Sequence, residues 1–126
     1  MIGTPYRLTG LAALALAGPC VAHHSFAMFD QDRTITLEGT VRQFQWTNPH
    51  CFIQLFVPSE TGFVEWSLEM NSPGASIREG WKPRSLKAGD VVTVVINPVR
   101  HGTFGGRVIS VADRNGQLPD RTRITP

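Results

Sequence analysis

The chain has 126 residues, a single domain's length, with a formal net charge of +2 and 17% charged residues. So small a charge does not mark a nucleic-acid-binding surface, and 12 glycines with 9 prolines speak against a long helical bundle or coiled coil. A compact domain of short strands joined by turns is the composition's remaining fit.

Residues 1–22 carry the three-part pattern of a secretory signal peptide. Arg7 gives the positive start, Leu8 to Gly18 the apolar run, and Cys20-Val21-Ala22 the small residues before a cut. The run is shorter than the roughly 20 apolar residues that span a bilayer, and no stable membrane anchor is expected. A lipidated Cys20 is the rival reading, but Pro19 fits poorly into a peptidase's extended site. A cut after Ala22 removes 22 of the 126 residues, leaves 104, and sends a single domain, residues 23–126, to the periplasm. Cys51 is then a lone cysteine, read as a buried small apolar residue before a soft metal ligand beside His50.

Thr34 to Trp46 alternates as a strand, but Ile35, Leu37 and Val41 share one parity while Phe44 and Trp46 share the other. In a period-2 element parity changes only at a bulge or bend, placed here at Gly39 or at Arg42-Gln43. Thr47-Asn48-Pro49 is turn chemistry. His50 to Val57 is apolar on both parities and reads as a strand covered on both faces. Phe63 to Met70 follows, with Val64, Trp66, Leu68 and Met70 on one side. Ser72 as cap, Pro73 at the first position and Gly80 at the stop predict a helix of about two turns. Trp81 is expected to pack back on the core. Val91 to Val99 and Arg107 to Ala112 are the fourth and fifth strands, and the last ten residues have no strong pattern. Three strands, a short helix and two strands, with a long bent first strand, is the order of an all-β, five-stranded OB-like Greek-key barrel. A small open β-sandwich is the alternative.

All four histidines lie after the cut, which makes His23 the first residue. Its α-amine and imidazole Nδ1 together form a chelate suited to copper(II), and the amine, with an ordinary pKa of about 8, releases its proton cheaply. One more imidazole completes a T-shaped nitrogen site. His50 is the candidate at the corner between the first two strands, His24 the local alternative, and Glu69 a possible carboxylate donor. The plainer readings are a solvated start for His23 and His24, and a His50 ring bonded to the Asn48-Pro49 turn. His101 reads as an exposed loop residue. The sequence has no GxSxG, P-loop or HExxH, so no catalytic residue is assigned and a non-enzymatic binding protein is expected. Glu65 and Glu69 share a strand face, where a solvated surface explains them more simply than paired acid/base work. Trp46, Trp66, Trp81, Phe44, Phe52, Phe56 and Phe63 are read mostly as core.

His23-His24-Ser25-Phe26 after a signal peptide, Trp46-Thr47-Asn48-Pro49-His50, Trp66-Ser67-Leu68-Glu69-Met70, Gly80-Trp81 and Leu86-Lys87-Ala88-Gly89-Asp90 resemble a family of small secreted bacterial proteins of unknown function. The likeness covers nearly all of the chain after residue 22. It implies a periplasmic β-barrel and no established activity, with His23, His24, Asn48, His50 and Glu69 at its motif positions. Through His23 and its size alone, the chain is also similar to periplasmic copper-binding proteins of the copper-resistance type. The expected partner is a metal ion, copper(II), or a periplasmic protein. The alternative is a barrel that binds a peptide, glycan or partner protein without metal.

Overall fold

A computed structural model of the chain describes Gly3 and residues 24–119, with His24 and Ser25 in backbone only. The signal-peptide reading of residues 1–22, His23 and the last seven residues lie outside the described residues. The order of elements is α1 (His24–Ala27), β1 (Ile35–Gln45), β2 (Phe52–Ser59), β3 (Gly62–Glu69), α2 (Pro73–Arg78), β4 (Val91–Pro98), β5 (Gly105–Asp113) and β6 (Gly116–Leu118). Strands follow one another in space as β3-β2-β1-β4-β5-β6, and β3 also pairs with β5, so the first five close into a barrel. This is the OB-like arrangement that the order of elements predicts, and an open sandwich is ruled out by the β3–β5 contact. That closure is parallel, Ser67 to Gly105 through Glu69 to Arg107, whereas every other ladder is antiparallel.

The bent first strand is what permits closure. Its N-terminal half pairs with β4 and its C-terminal half with β2, and the register slips between Val41 and Gln43. The bulge at Arg42 is the parity switch: Leu37 and Val41 are buried before it, and Phe44 packs on the core after it. Gly39 lies where β1 crosses β2. A Cβ there would stand 2.4 Å from the Phe56 carbonyl oxygen and 2.9 Å from Leu55 Cγ, so no larger residue fits without moving backbone.

The barrel interior is aliphatic: Ile53, Leu55, Leu68, Val92, Val94, Ile96 and Val111 are fully or almost fully buried. Cys51 and Met70 continue the β2–β3 ladder past its end, each bonding through the backbone (Met70 N–H to Cys51 C=O, 2.9 Å; Cys51 N–H to Asn71 C=O, 3.0 Å). The helix α2 then closes that end. Ser72 Oγ accepts from the Ala75 N–H, Pro73 opens the helix, and Gly80 follows the stop at φ +96°. Trp81 turns inward, 5% exposed, against the ring of Phe44 (centroids 6.0 Å apart). Ser76 faces the same interior, wholly buried, and its hydroxyl donates to the Asn71 carbonyl at 3.4 Å.

The structure adds two small elements to those expected. The turn at residues 113–116 leads into β6, which pairs Val111 to Leu118 and Asp113 to Gly116. The helix α1 and the residues after it are stapled to the end of β4: Phe29 is 2% exposed and bridges Val99, while the Asp30 N–H donates to the Pro98 carbonyl at 2.8 Å. Among the aromatics read as core, Phe63 is 72% exposed, because it sits outward at the β2–β3 hairpin tip beside Phe56. No helix of the described residues is long and apolar enough to cross a membrane.

Candidate functional site

One end of the barrel brings together His50 and Glu69, two of the polar side chains that the sequence singled out. The corner between β1 and β2 starts it. Thr47 donates its hydroxyl to the His50 carbonyl at 2.8 Å, which closes the Thr47-Asn48-Pro49-His50 turn. The peptide bond from Asn48 to Pro49 is cis. His50 leaves this turn pointing across the sheet. Its Nδ1 lies 3.0 Å from the Met70 carbonyl oxygen and 3.3 Å from Glu69 Oε1.

That geometry differs from the simpler expectation in which His50 bonds its own turn. Two acceptors beside Nδ1 select the tautomer with the proton on Nδ1. Nε2 is then the ring's lone-pair nitrogen, the atom that ligates a metal when the other nitrogen is held by a carbonyl or carboxylate. The side chains of His50 and Glu69 are 29% and 13% exposed, so the pair is partly shielded from water without being sealed off.

Glu69 is in turn opposite Arg107 in the parallel β3–β5 ladder. Arg107 donates from Nη2 to Asn71 Oδ1 at 2.6 Å, and Asn71 Nδ2 donates to Glu79 Oε1 at 2.5 Å. Asn71 thus ties β5 to the end of α2, next to the carbonyl that receives His50. The guanidinium of Arg107 also lies over the ring of Phe26, 4.6 Å from its centroid. A cation over an aromatic face within about 6 Å is attractive by roughly 0.5–1 kcal/mol where water reaches it. Phe26 belongs to α1, three residues after His23. The N-terminal segment is therefore fixed at the barrel end that holds His50 and Glu69.

The remaining candidates fall elsewhere or have other partners. Glu65 makes an ion pair with Arg42 (Oε1 to Nε, 2.6 Å), on an exposed part of the outer face. It is not set beside Glu69 for acid/base work. His101 is exposed in the loop before β5. Cys51 is a free cysteine and fully buried. Burial pushes its thiol pKa up, against smaller lowering effects of the Thr47 backbone and the Ser76 hydroxyl. A thiol held in its protonated form is a poor metal ligand. Among the described residues, no group of three or more histidine, cysteine, aspartate and glutamate side chains is arranged to hold a metal ion. His50 and Glu69 supply two groups; His23 lies outside the described residues, and for His24 only the backbone is given.

Sequence reading missed Arg107 and Asn71. Arg107 was expected only as the start of a strand, and its role depends on the parallel β3–β5 pairing, which no local pattern announces.

A model of a family described as a family of unknown function (DUF6152) matches residues 12–108. The chain belongs to this family. The matched stretch includes His23, His24, Asn48, His50 and Glu69 as well as Arg107. No curated protein matches the chain. Membership in DUF6152 carries no activity with it, so function rests on the chemistry of the barrel end.

Proposed function

We propose that this DUF6152 protein is a periplasmic, non-enzymatic binding protein that takes up copper(II) between its processed N-terminus and the His50 corner. In this reading the His23 α-amine and imidazole form a chelate, and His50 Nε2 or His24 supplies the further nitrogen. Glu69 holds the His50 ring through Nδ1 and lends a nearby negative charge. Such a carboxylate–imidazole–metal arrangement fixes the ring and raises its basicity. Nitrogen donors of this kind favour copper(II) over the other common divalent ions.

The observation that carries the reading is the position of Phe26. Its ring rests on Arg107, Arg107 is in register with Glu69, and Glu69 stands 3.3 Å from His50. Three residues of chain span at most about 10 Å. That short link between His23 and a residue seated on the barrel supports a reach toward His50.

The test is a copper(II) titration of protein whose first residue is His23, at neutral pH with a competing chelator. One ion per chain is expected. One extra residue before His23 removes the amine from the chelate, and His50→Gln removes a ring nitrogen. Each is expected to weaken binding at least tenfold, since loss even of an outer partner of a metal site costs about 10–100-fold. Unchanged affinity in both variants overturns the reading. Binding to a periplasmic peptide, glycan or protein with metal chelated away would then stand in its place.

A further inference from the structure

The outer face of β1, β2 and β3 carries side chains that neither the core nor the His50 corner uses. β2 is paired on both sides, by β1 and by β3, so an outside molecule meets this face through side chains and not through backbone. Phe52, Gln54 and Phe56 alternate with the buried Ile53 and Leu55 and therefore point outward. Gln54 sits at the centre. Its Nε2 donates to Gln45 Oε1 at 2.8 Å and to Ser67 Oγ at 3.1 Å, one bond toward each neighbouring strand. The two amides are held in fixed orientation, with the Gln54 carbonyl oxygen and the Gln45 N–H groups left over among the described residues.

Rings bracket this centre. Phe52 and Phe56 are both half-buried and stand about 13 Å apart along the strand. Phe56 lies against Phe63, centroids 6.5 Å apart, and Phe63 is 72% exposed. Paired rings left open to water make a contact surface. The charges of the face are already matched. Glu65, opposite Phe56 in the β2–β3 register, is paired with Arg42, and Glu69, opposite Phe52, lies beside His50 Nδ1.

These parts fit one class of ligand. Oriented amides bond to neighbouring hydroxyl groups, and the negative face of an aromatic ring receives the C–H face of a pyranose. A ligand without charge suits a face whose own charges are paired. A shallow, open sheet surface suits an extended sugar chain with flat C–H faces, not a coiled one. We infer that the outer face of β2 and β3 binds a neutral, extended oligosaccharide of the cellulose or chitin type, stacked on Phe56 and Phe63 and hydrogen-bonded to Gln54 and Gln45. The inference does not rest on the copper reading.

Backbone NMR titration of the chain beginning at His23, with EDTA present, tests it. The probes are cellohexaose and chitohexaose; maltohexaose, which coils, and a heparin hexasaccharide, which is anionic, are the controls. Saturable shifts of the Gln54, Phe56 and Ser67 amides are expected with at least one probe, with the core amide of Val94 unmoved. Phe63→Ala, at an exposed hairpin tip, is expected to weaken that binding about tenfold through loss of a stacked ring. Gln54→Ala removes the central amide and is expected to weaken it as well, and an unmoved Val94 amide in each variant shows that the barrel is intact. No saturable shift with either probe, tighter binding of either control, or unchanged affinity in either variant overturns the inference.

Discussion

Buried polar groups at the closed end of the barrel each have a defined partner, and their chemistry follows from it. His50 is directed by two acceptors on Nδ1, which leaves Nε2 as its lone-pair nitrogen. Cys51 sits beside it in sequence with its thiol shielded from water and its pKa raised by burial. Two results follow for Cys51. The thiol is expected to resist a water-soluble disulfide reagent at neutral pH in the native protein and to react at once in denaturant. Because the folded state favours the protonated thiol, its contribution to stability is full below the ordinary thiol pKa, about 8.5. It falls as pH rises through that value toward the raised folded one. A urea midpoint that drops above that pH in the parent but less in Cys51→Ala matches this sign; the same pH dependence in both does not. The burial of Cys51 was legible, because a lone small thiol in an apolar strand has few other uses. The seat of His50 on the Met70 carbonyl was not, since residues 20 apart in sequence meet only through the β2–β3 register.

At the level of elements, the local signals that worked were those with a steric cause. The parity change between Val41 and Phe44 requires an extra residue, and the bulge at Arg42 supplies it. Ser72, Pro73 and Gly80 bracket α2 because each satisfies a backbone requirement of a helix end. Where glycine hid a strand, the signal failed. Gly105 and Gly106 fall outside the expected fifth strand, Arg107 to Ala112, yet they begin β5 and pair with Ser67 and Leu68. The short β6 was lost for a different reason, as three residues carry no period. Gly39 tests the physical account of the bend. Gly39→Ala places a Cβ against the Phe56 carbonyl and Leu55 at distances that backbone must yield to. Overpacking of this kind costs about 1–3 kcal/mol, read as a lower urea midpoint with an unchanged slope. A midpoint equal to the parent's would mean that β1 and β2 cross with more room than the structure gives them.

For the whole molecule, barrel closure and N-terminal anchoring meet at one end. The parallel β3–β5 ladder sets Arg107 beside Glu69, and Arg107 receives Phe26. Phe29, buried against Val99, holds the same segment one turn further on. In the proposed copper site one partner comes from a strand corner and the other from the segment that Phe26 joins to the barrel. This dependence predicts that Phe26→Ala, which leaves the aliphatic interior untouched, weakens copper(II) binding while the urea midpoint moves little. The measurement that bears most directly on the claim is electron paramagnetic resonance of copper(II) bound one-to-one to protein beginning at His23. The account predicts nitrogen coupling that includes an imidazole, with one coupled nitrogen lost in His50→Gln and the spectrum altered by a residue added before His23. Spectra identical in the parent, His50→Gln and the extended chain would contradict it.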